Sequence, residues 1–229
     1  MKPYVISHMM SSVDGRSLTD GWHLKFASDV YESTAASFKA DGWICGRVTM
    51  QEISHGTDYL KGLAKNLPVE RTDFFAKRDA SQYAISIDPN GRVAWKNNTA
   101  LDSHIVEVLT RAVPDDYLAY LQSIDVSYVF GGDTDLDLAA VLDTLARELG
   151  VKRLIVEGGS HVSGAFVNAG LVDEVSVLIM PLVDGRSAHP SSYEISMDAW
   201  KAPTYLQLTS VERADHDAVW MRYTRTSRP

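Results

Sequence analysis

Two short stretches place glycine and small polar residues directly after an apolar run: residues 45–49 read CGRVT and residues 157–161 read EGGSH. The free backbone amides at the start of a helix attract anions, and glycine lets a phosphate approach the main chain closely. Two such strand-to-helix junctions in one sheet suit a dinucleotide. Turns of this kind also favour glycine and serine for structural reasons alone, so either junction by itself is as well explained by a simple turn.

Neither junction matches the motifs of better-known nucleotide or hydrolase sites. The GGS run at residues 158–160 breaks the G-x-G-x-x-G spacing, and no acid ends a second strand about 20 residues later. A G-x-S-x-G elbow would need glycine where Val162 stands, so Ser160 and His161 are not read as nucleophile and base. The histidines lack metal-ligand spacing and Cys45 is the only cysteine, so no metal site is predicted.

The composition limits the classes of protein to which the chain can belong. Its 229 residues are 45% hydrophobic, which predicts one large domain over residues 1–229. A formal net charge of -8 argues against general binding to nucleic acid or anionic membranes. The amino-terminal residues lack the apolar run of a signal peptide, and no segment approaches the roughly 20 apolar residues of a membrane helix. With a single cysteine, the expected location is the cytoplasm.

The two junctions must be positioned by a sheet, and the pattern of apolar residues predicts one. Strands are expected at residues 3–10, 43–46, 83–87 and 126–130. A first helix is expected to have its N-cap at residues 28–29 and its stop at Gly42, and leucine and valine at helical spacing predict another helix before Gly150. The segments KRLIVEGG, SHVSGAFVNAG and VDEVSVLIMP read as strand, helix and strand of a parallel unit. The last strands alternate apolar and polar residues around residues 214–217, which predicts an antiparallel hairpin. The expected fold is α/β, with a mixed, mostly parallel sheet flanked by helices.

Three blocks of sequence carry a resemblance to a known family. They are MMSSVDGR after the first strand, CGRVTMQE, and the long block from GGDTDLDLAA to IMPLVDG at residues 131–185. Together they resemble the riboflavin-biosynthesis pyrimidine reductase family, the C-terminal domain of bifunctional deaminase-reductases, whose fold is dihydrofolate-reductase-like. The resemblance implies a homodimeric NADPH-dependent oxidoreductase that reduces a pyrimidine-type heterocycle, with 5-amino-6-(5-phosphoribosylamino)uracil as the expected substrate.

The resemblance also implies which residues hold the cofactor. The glycine pair and the start of the following helix would bind the diphosphate, and the residues after the second strand would bind the adenosine half. A guanidinium at position 47 can pair with the 2′-phosphate and so favour NADPH over NADH, although a solvated surface arginine is the simpler alternative. The expected cofactor-binding residues are Gly46, Arg47, Thr49, Ser86, Glu157, Gly158, Gly159, Ser160 and His161.

The loop after the first strand is implied to lie near the substrate. Ser12 and Asp14 are expected to bind substrate there, with Asp14 as the catalytic positioning residue and a turn-forming aspartate as the alternative. Glu157 would either orient the ligand or cap the turn. In the family's fold the corresponding glycine pair is joined by a cis peptide, so Gly158 and Gly159 are expected to be cis.

The chain departs from the family after Met50, where an acidic, proline-bearing stretch usually ends in an arginine that helps hold the phosphoribosyl group. That register is lost here, and Arg71, His55 and Lys61 are the candidates to replace the arginine. Residues 53–71 read as a loop-rich excursion that could close over substrate. Two alternatives therefore stay open: a reductase of a pteridine, carbonyl or imine on the same fold, and a nucleotide-binding protein without turnover. The cysteines of a zinc deaminase domain are also lacking, which predicts reduction alone.

Overall fold

A computed structural model of the protein describes residues 2–59 and 69–227. Strands and helices alternate along most of the chain. In chain order the elements are β1 (Tyr4–Ser11), α1 (Ala27–Ala36), β2 (Gly42–Gly46), α2 (Arg47–Ser54), β3 (Thr57–Asp58), β4 (Tyr83–Ile87), β5 (Val93–Ala94), β6 (Thr99–Ala100), β7 (Ser103–Thr110), α3 (Asp115–Ser123), β8 (Ser127–Gly132), α4 (Leu138–Leu149), β9 (Arg153–Val156), α5 (Ser160–Asn168), β10 (Glu174–Ile179), β11 (Leu206–Arg213) and β12 (Val219–Arg225).

The chain divides into two compact units. One consists of Met1–Pro3 and Asp41–Leu154, and the other of Tyr4–Ala40 and Ile155–Pro229. The boundary falls inside β9, so each strand-to-helix junction singled out above belongs to a different unit. The single domain expected over residues 1–229 stays a prediction.

The first unit is built on the parallel strands β2, β4, β7 and β8, which are neighbours in that order. All eight residues of β7 are buried, which is typical of a central strand in a parallel sheet. The helix α4 begins at the N-cap Asp137, whose carboxylate accepts hydrogen bonds from two backbone amides, each at 3.0 Å. It ends at Gly150 with a φ of 68°, as the sequence predicts.

The second unit contains both parallel and antiparallel pairs of strands. Strand β1 is parallel to β10, β12 is antiparallel to β10, and β11 is antiparallel to β12. A short 3-10 turn at Asp215–Asp217 connects the last two strands. The predicted fold class is therefore confirmed: a mixed, mostly parallel sheet with helices and a C-terminal antiparallel hairpin.

The first helix differs from its prediction at both ends. Serine and aspartate at positions 28 and 29 suggested an N-cap, but α1 begins at Ala27 after Phe26, without a side-chain cap. It ends at Ala36 rather than at Gly42, which opens β2. A Cβ at Gly42 would lie 3.0 Å from the carbonyl oxygen of Tyr83, so this glycine allows close packing of strands and does not stop the helix.

Within the described residues, no helix is long and apolar enough to cross a membrane. The expected cytoplasmic location stays a prediction.

Candidate functional site

The EGGSH junction lies in the second unit, between β9 and α5. The peptide bond between Gly158 and Gly159 is cis, as expected. Gly158 has a φ of 116°, a conformation that glycine adopts without a steric penalty. A Cβ at this position would meet only the end of the Met9 side chain, at 3.8 Å. Gly158 itself is buried, and the space beside it holds no backbone atom within 4 Å of such a Cβ.

The start of α5 offers backbone donors to an anion. Gly159 is the N-cap and supplies no side-chain hydrogen bond. The amide of Ser163 bonds to the carbonyl of Gly159 at 3.0 Å, while the amides that precede it in the first turn have no acceptor within the helix. Ser160 is buried at this end and His161 is exposed. A helix N-terminus of this kind can bind an anion, and the diphosphate role of these residues stays a prediction.

A neighbouring segment holds this helix start in place. The amide of Glu194 donates to the carbonyl of Ser160 at 3.1 Å. A Cβ on Gly164 would lie 2.2 Å from the carbonyl oxygen of Glu194, so the two backbones approach too closely for any side chain there. The Tyr193 hydroxyl lies 3.1 Å from the hydroxyl of Ser7 on β1. The third glycine of this region thus positions the helix and does not face a ligand.

Glu157 is an acid in an environment that favours its neutral form. Burial raises the pKa of its carboxyl to about 8, and the nearby charge of Glu32 adds to the effect. No residue in the described part of the chain makes a hydrogen bond to this carboxyl. At neutral pH Glu157 is therefore mostly protonated and able to donate a proton or a hydrogen bond to a ligand.

Ser12 and Asp14 are brought together in the loop after β1, where they bind each other and the protein. The Ser12 hydroxyl donates to Asp14 Oδ1 at 2.7 Å and accepts from the amide of Arg16 at 3.0 Å. The same carboxylate accepts from the amides of Asp184 and Gly185, both at 2.9 Å. These donors, the Ser12 hydroxyl first, lower the pKa of Asp14 to about 2. The contacts favour the turn-forming alternative, and the substrate role of both residues stays a prediction.

The loop at residues 182–186, whose amides bind Asp14, contains residues that were not predicted as part of the site. Asp184 has a fully buried side chain that accepts from Trp22 Nε1 at 2.6 Å and from two guanidinium nitrogens of Arg186 at 2.7 and 2.6 Å. These bonds, those from Arg186 first, hold the pKa of Asp184 well below its usual range. A signal was present, because Val-Asp-Gly-Arg occurs at residues 13–16 and again at residues 183–186.

The CGRVT junction lies in the first unit, where β2 leads into α2. Gly46 is the N-cap and gives no side-chain hydrogen bond. Arg47 is the first helical residue, and its side chain is 28% exposed. Its guanidinium donates to Gln51 and lies 3.8 Å from Asp58. Thr49 is partly buried on the same turn.

Ser86 is not brought to the surface with Arg47. It is fully buried in β4, and its hydroxyl has no hydrogen-bond partner within the described residues. It is in register with Glu107 on β7, another fully buried residue, whose carboxyl accepts from Tyr117 at 2.7 Å. Burial, followed by the charge of Asp88, raises the pKa of Glu107 well above its usual range. The phosphate role of Ser86 stays a prediction that its core position does not support.

The residues that were expected to replace the phosphate-binding arginine are Arg71, His55 and Lys61. Arg71 donates to Asp115 and to the backbone carbonyls of Arg111 and Val113, the last at 2.9 Å. His55 ends α2 in a left-handed conformation with a φ of 52°. Lys61 and much of the excursion after residue 53 lie outside the described residues. Among the residues that the structure does describe, no group of three or more His, Cys, Asp or Glu side chains is placed to hold a metal ion.

The sequence matches the family model described as the RibD C-terminal domain over residues 3–220. The chain belongs to the RibD C-terminal domain family. The 2,5-diamino-6-ribosylamino-4(3H)-pyrimidinone 5′-phosphate reductase of Archaeoglobus fulgidus is 24% identical, with 83% of this chain and 86% of the relative covered. The reductase of the same name from Aquifex aeolicus is 28% identical, with 83% and 82% covered. The predicted family is thus confirmed.

Solved structures agree with this assignment at the level of the fold. A pyrimidine reductase-like protein from Corynebacterium diphtheriae superimposes with a TM-score of 0.72 at 13% identity, covering 98% of this chain and 92% of that one. The riboflavin biosynthesis reductase of Saccharomyces cerevisiae gives a TM-score of 0.62 at 15% identity, covering 98% and 90%. These neighbours share the mixed, mostly parallel sheet of the family member described here.

Proposed function

We propose that this chain is an NADPH-dependent reductase of a ribosylamino-pyrimidine 5′-phosphate in riboflavin biosynthesis. The relatives that share most of its length are named as reductases of such a compound. The observation that carries the proposal is the start of α5, where no side chain caps the helix and where a Cβ at Gly158 would meet only the end of Met9. An acidic protein needs a local anion site of this kind to hold a dinucleotide.

The residues present fit the cofactor in each unit. In the second unit, the first-turn amides of α5 would hold the diphosphate. In the first unit, the guanidinium of Arg47 would pair with the 2′-phosphate through two N–H groups. When bound, NADPH supplies the hydride, which is the difficult part of the chemistry.

Two acidic residues of the second unit have different roles in the proposed reaction. Glu157, with its pKa near 8, holds a proton at neutral pH and would present an O–H to the substrate. Asp14, with its pKa near 2, is ionised and cannot supply a proton. Its bonds to the amides of residues 184 and 185 would instead keep the two loops in a fixed position beside the substrate.

The acceptor is tested by measuring the loss of reduced nicotinamide absorbance with a panel of substrates. The panel contains the 2,5-diamino-pyrimidinone phosphate, the amino-uracil phosphate expected from the sequence, dihydrofolate and a simple carbonyl. Oxidation with one of the two pyrimidines supports the proposal. Turnover only with dihydrofolate or the carbonyl would favour a reductase of another substrate on the same fold. Tight NADPH binding without any turnover would favour a nucleotide-binding protein without catalytic activity.

The diphosphate cradle is tested separately with Gly159→Val, which adds a branched side chain where the phosphates would lie. NADPH affinity should fall at least about tenfold, because a buried clash and lost amide bonds each cost more than about 1.4 kcal/mol. The matched control is Ala165→Val, on the exposed face of the same helix, which should bind NADPH normally. Unchanged affinity in the Gly159 variant, with a normal circular dichroism spectrum, would assign the glycine pair to a simple turn.

The homodimer implied by the family resemblance is part of the same proposal. Sedimentation equilibrium of the purified chain measures it directly.

A further inference from the structure

Arg47 already contacts an acid of its own chain. Its Nη1 donates to the side-chain Oε1 of Gln51. The side-chain Nε2 of Gln51 in turn donates to Asp58 Oδ1 at 3.0 Å. The same oxygen of Asp58 lies 3.8 Å from Arg47 Nη1. One edge of the guanidinium is therefore held by a glutamine and a carboxylate, both within the first unit.

The position of this carboxylate matters for a ligand with a phosphate at Arg47. The Asp58 side chain is 82% exposed, so solvent and ligands can reach it. A monoester phosphate carries a charge of about -1.5 to -2 at pH 7, which Asp58 would repel. The ribose of NADH has a neutral hydroxyl at the same place, and a carboxylate can accept a hydrogen bond from it. A carboxylate at this position would thus disfavour the phosphorylated nucleotide and not the other.

We propose that Asp58 is a specificity-determining residue that weakens the preference for NADPH over NADH conferred by Arg47. The inference rests on the proposed function, because it takes Arg47 as the 2′-phosphate ligand. The carboxylate acts in two ways: it competes with the phosphate for Nη1, and it repels the phosphate charge.

The expected size of the effect follows from Coulomb's law. For charges about 5 Å apart in a water-like dielectric, removing the repulsion strengthens binding by about three- to tenfold at low ionic strength. The gain should shrink in about 0.5 M salt, where screening acts over roughly 4 Å. NADH affinity should change less than about twofold, since its 2′-hydroxyl carries no charge.

The test is a fluorescence titration of NADPH and NADH into the full chain, with wild type, Asp58→Asn and Arg47→Ala compared. Asp133→Asn is the matched control, because Asp133 is also exposed, also lies 3.8 Å from an arginine, Arg111, and belongs to the same unit. The expected result is tighter NADPH binding in Asp58→Asn alone, with NADH nearly unchanged and the difference reduced by salt.

Each other outcome overturns the inference. An equal gain for NADH, or the same gain in Asp133→Asn, would show a general charge effect. No gain in Asp58→Asn, in a wild type that prefers NADPH through Arg47, would remove the role of Asp58 and leave the proposed function intact. If the wild type binds neither nucleotide, the proposed function itself fails, and the inference with it.

Discussion

Replacing Glu157 with glutamine is expected to stabilise the folded chain, by an amount that increases with pH. Burial raises the pKa of this carboxyl from 4.5 to about 8. In the unfolded chain the group ionises above its ordinary value, whereas the folded chain resists ionisation until pH 8. The acid therefore opposes folding above pH 4.5, by an amount that grows up to about pH 8 and then stays constant, and a neutral glutamine of the same shape does not.

The size of the gain follows from the pKa difference, at 1.36 kcal/mol for each unit. The free energy of unfolding should rise by less than about 1 kcal/mol at pH 5, by up to about 3 kcal/mol at pH 7, and by up to about 5 kcal/mol above pH 8. Partial exposure of Glu157 makes these values upper limits, because water reduces the cost of burying the charge.

The assay is urea unfolding followed by tryptophan fluorescence at pH 5, 7 and 9, for the wild type and the Glu157→Gln variant. Glu212→Gln on the exposed strand β11 is the matched control, which should change stability by less than about 0.5 kcal/mol at each pH. A gain that is the same at all three pH values would refute the reasoning, since it would not come from ionisation.

The same variant connects stability with function. Glutamine cannot supply a proton, so the proposed reaction should slow in the more stable variant. Natural proteins commonly keep a destabilising group where catalysis needs it. Greater stability with unchanged turnover would leave Glu157 without a role in the reaction.

Two further predictions concern groups outside the proposed site. His8 is fully buried, with ring nitrogens 2.9 Å from the Ser176 hydroxyl and 3.1 Å from that of Thr34, and burial lowers its pKa to about 4. Stability from its neutral form is lost as pH falls from 6.5 towards 4, so the wild type should lose about 2 kcal/mol more than His8→Gln between pH 7 and 5 in urea unfolding; equal losses would contradict this. Gly164→Ala should destabilise by about 1 to 3 kcal/mol in thermal unfolding, because its Cβ would meet the Glu194 carbonyl at 2.2 Å. An unchanged midpoint would show that the backbone at Glu194 moves to make room for the Cβ at no cost in stability.

Local patterns in the sequence predicted the elements well. The leucine spacing of α4, the alternation of β11 and β12 and the glycine pair before α5 each depend on residues a few positions apart. Such patterns fix the hydrophobic face or the turn before any long-range contact forms. The family resemblance over residues 131–185 added the reductase assignment, and it also predicted the cis peptide between Gly158 and Gly159, which no local pattern could have indicated.

The ends of α1 were predicted wrongly for a related reason. Serine and aspartate favour N-caps, but Ala27 packs into the cluster formed with Val30, Leu178 and Met180, which places the N-cap at Phe26, two residues before Ser28. Tertiary packing here outweighs a capping preference of about 1 kcal/mol. Gly42 likewise serves the approach of two strands rather than the end of a helix.

The chemistry of the site was decided only by the tertiary structure. The sequence identified Asp14, but two of the donors that lower the pKa of its carboxyl, the amides of Asp184 and Gly185, lie 170 and 171 residues further along the chain. It identified Glu157 without indicating that its carboxyl is neutral at pH 7, because desolvation comes from the surrounding chain. It placed Ser86 at the end of a strand, and packing placed its hydroxyl in the core. Residue types and spacings along the chain are thus enough to indicate the fold and the family. Charge state, exposure and hydrogen-bond partners depend on residues far apart in sequence, which only folding brings together.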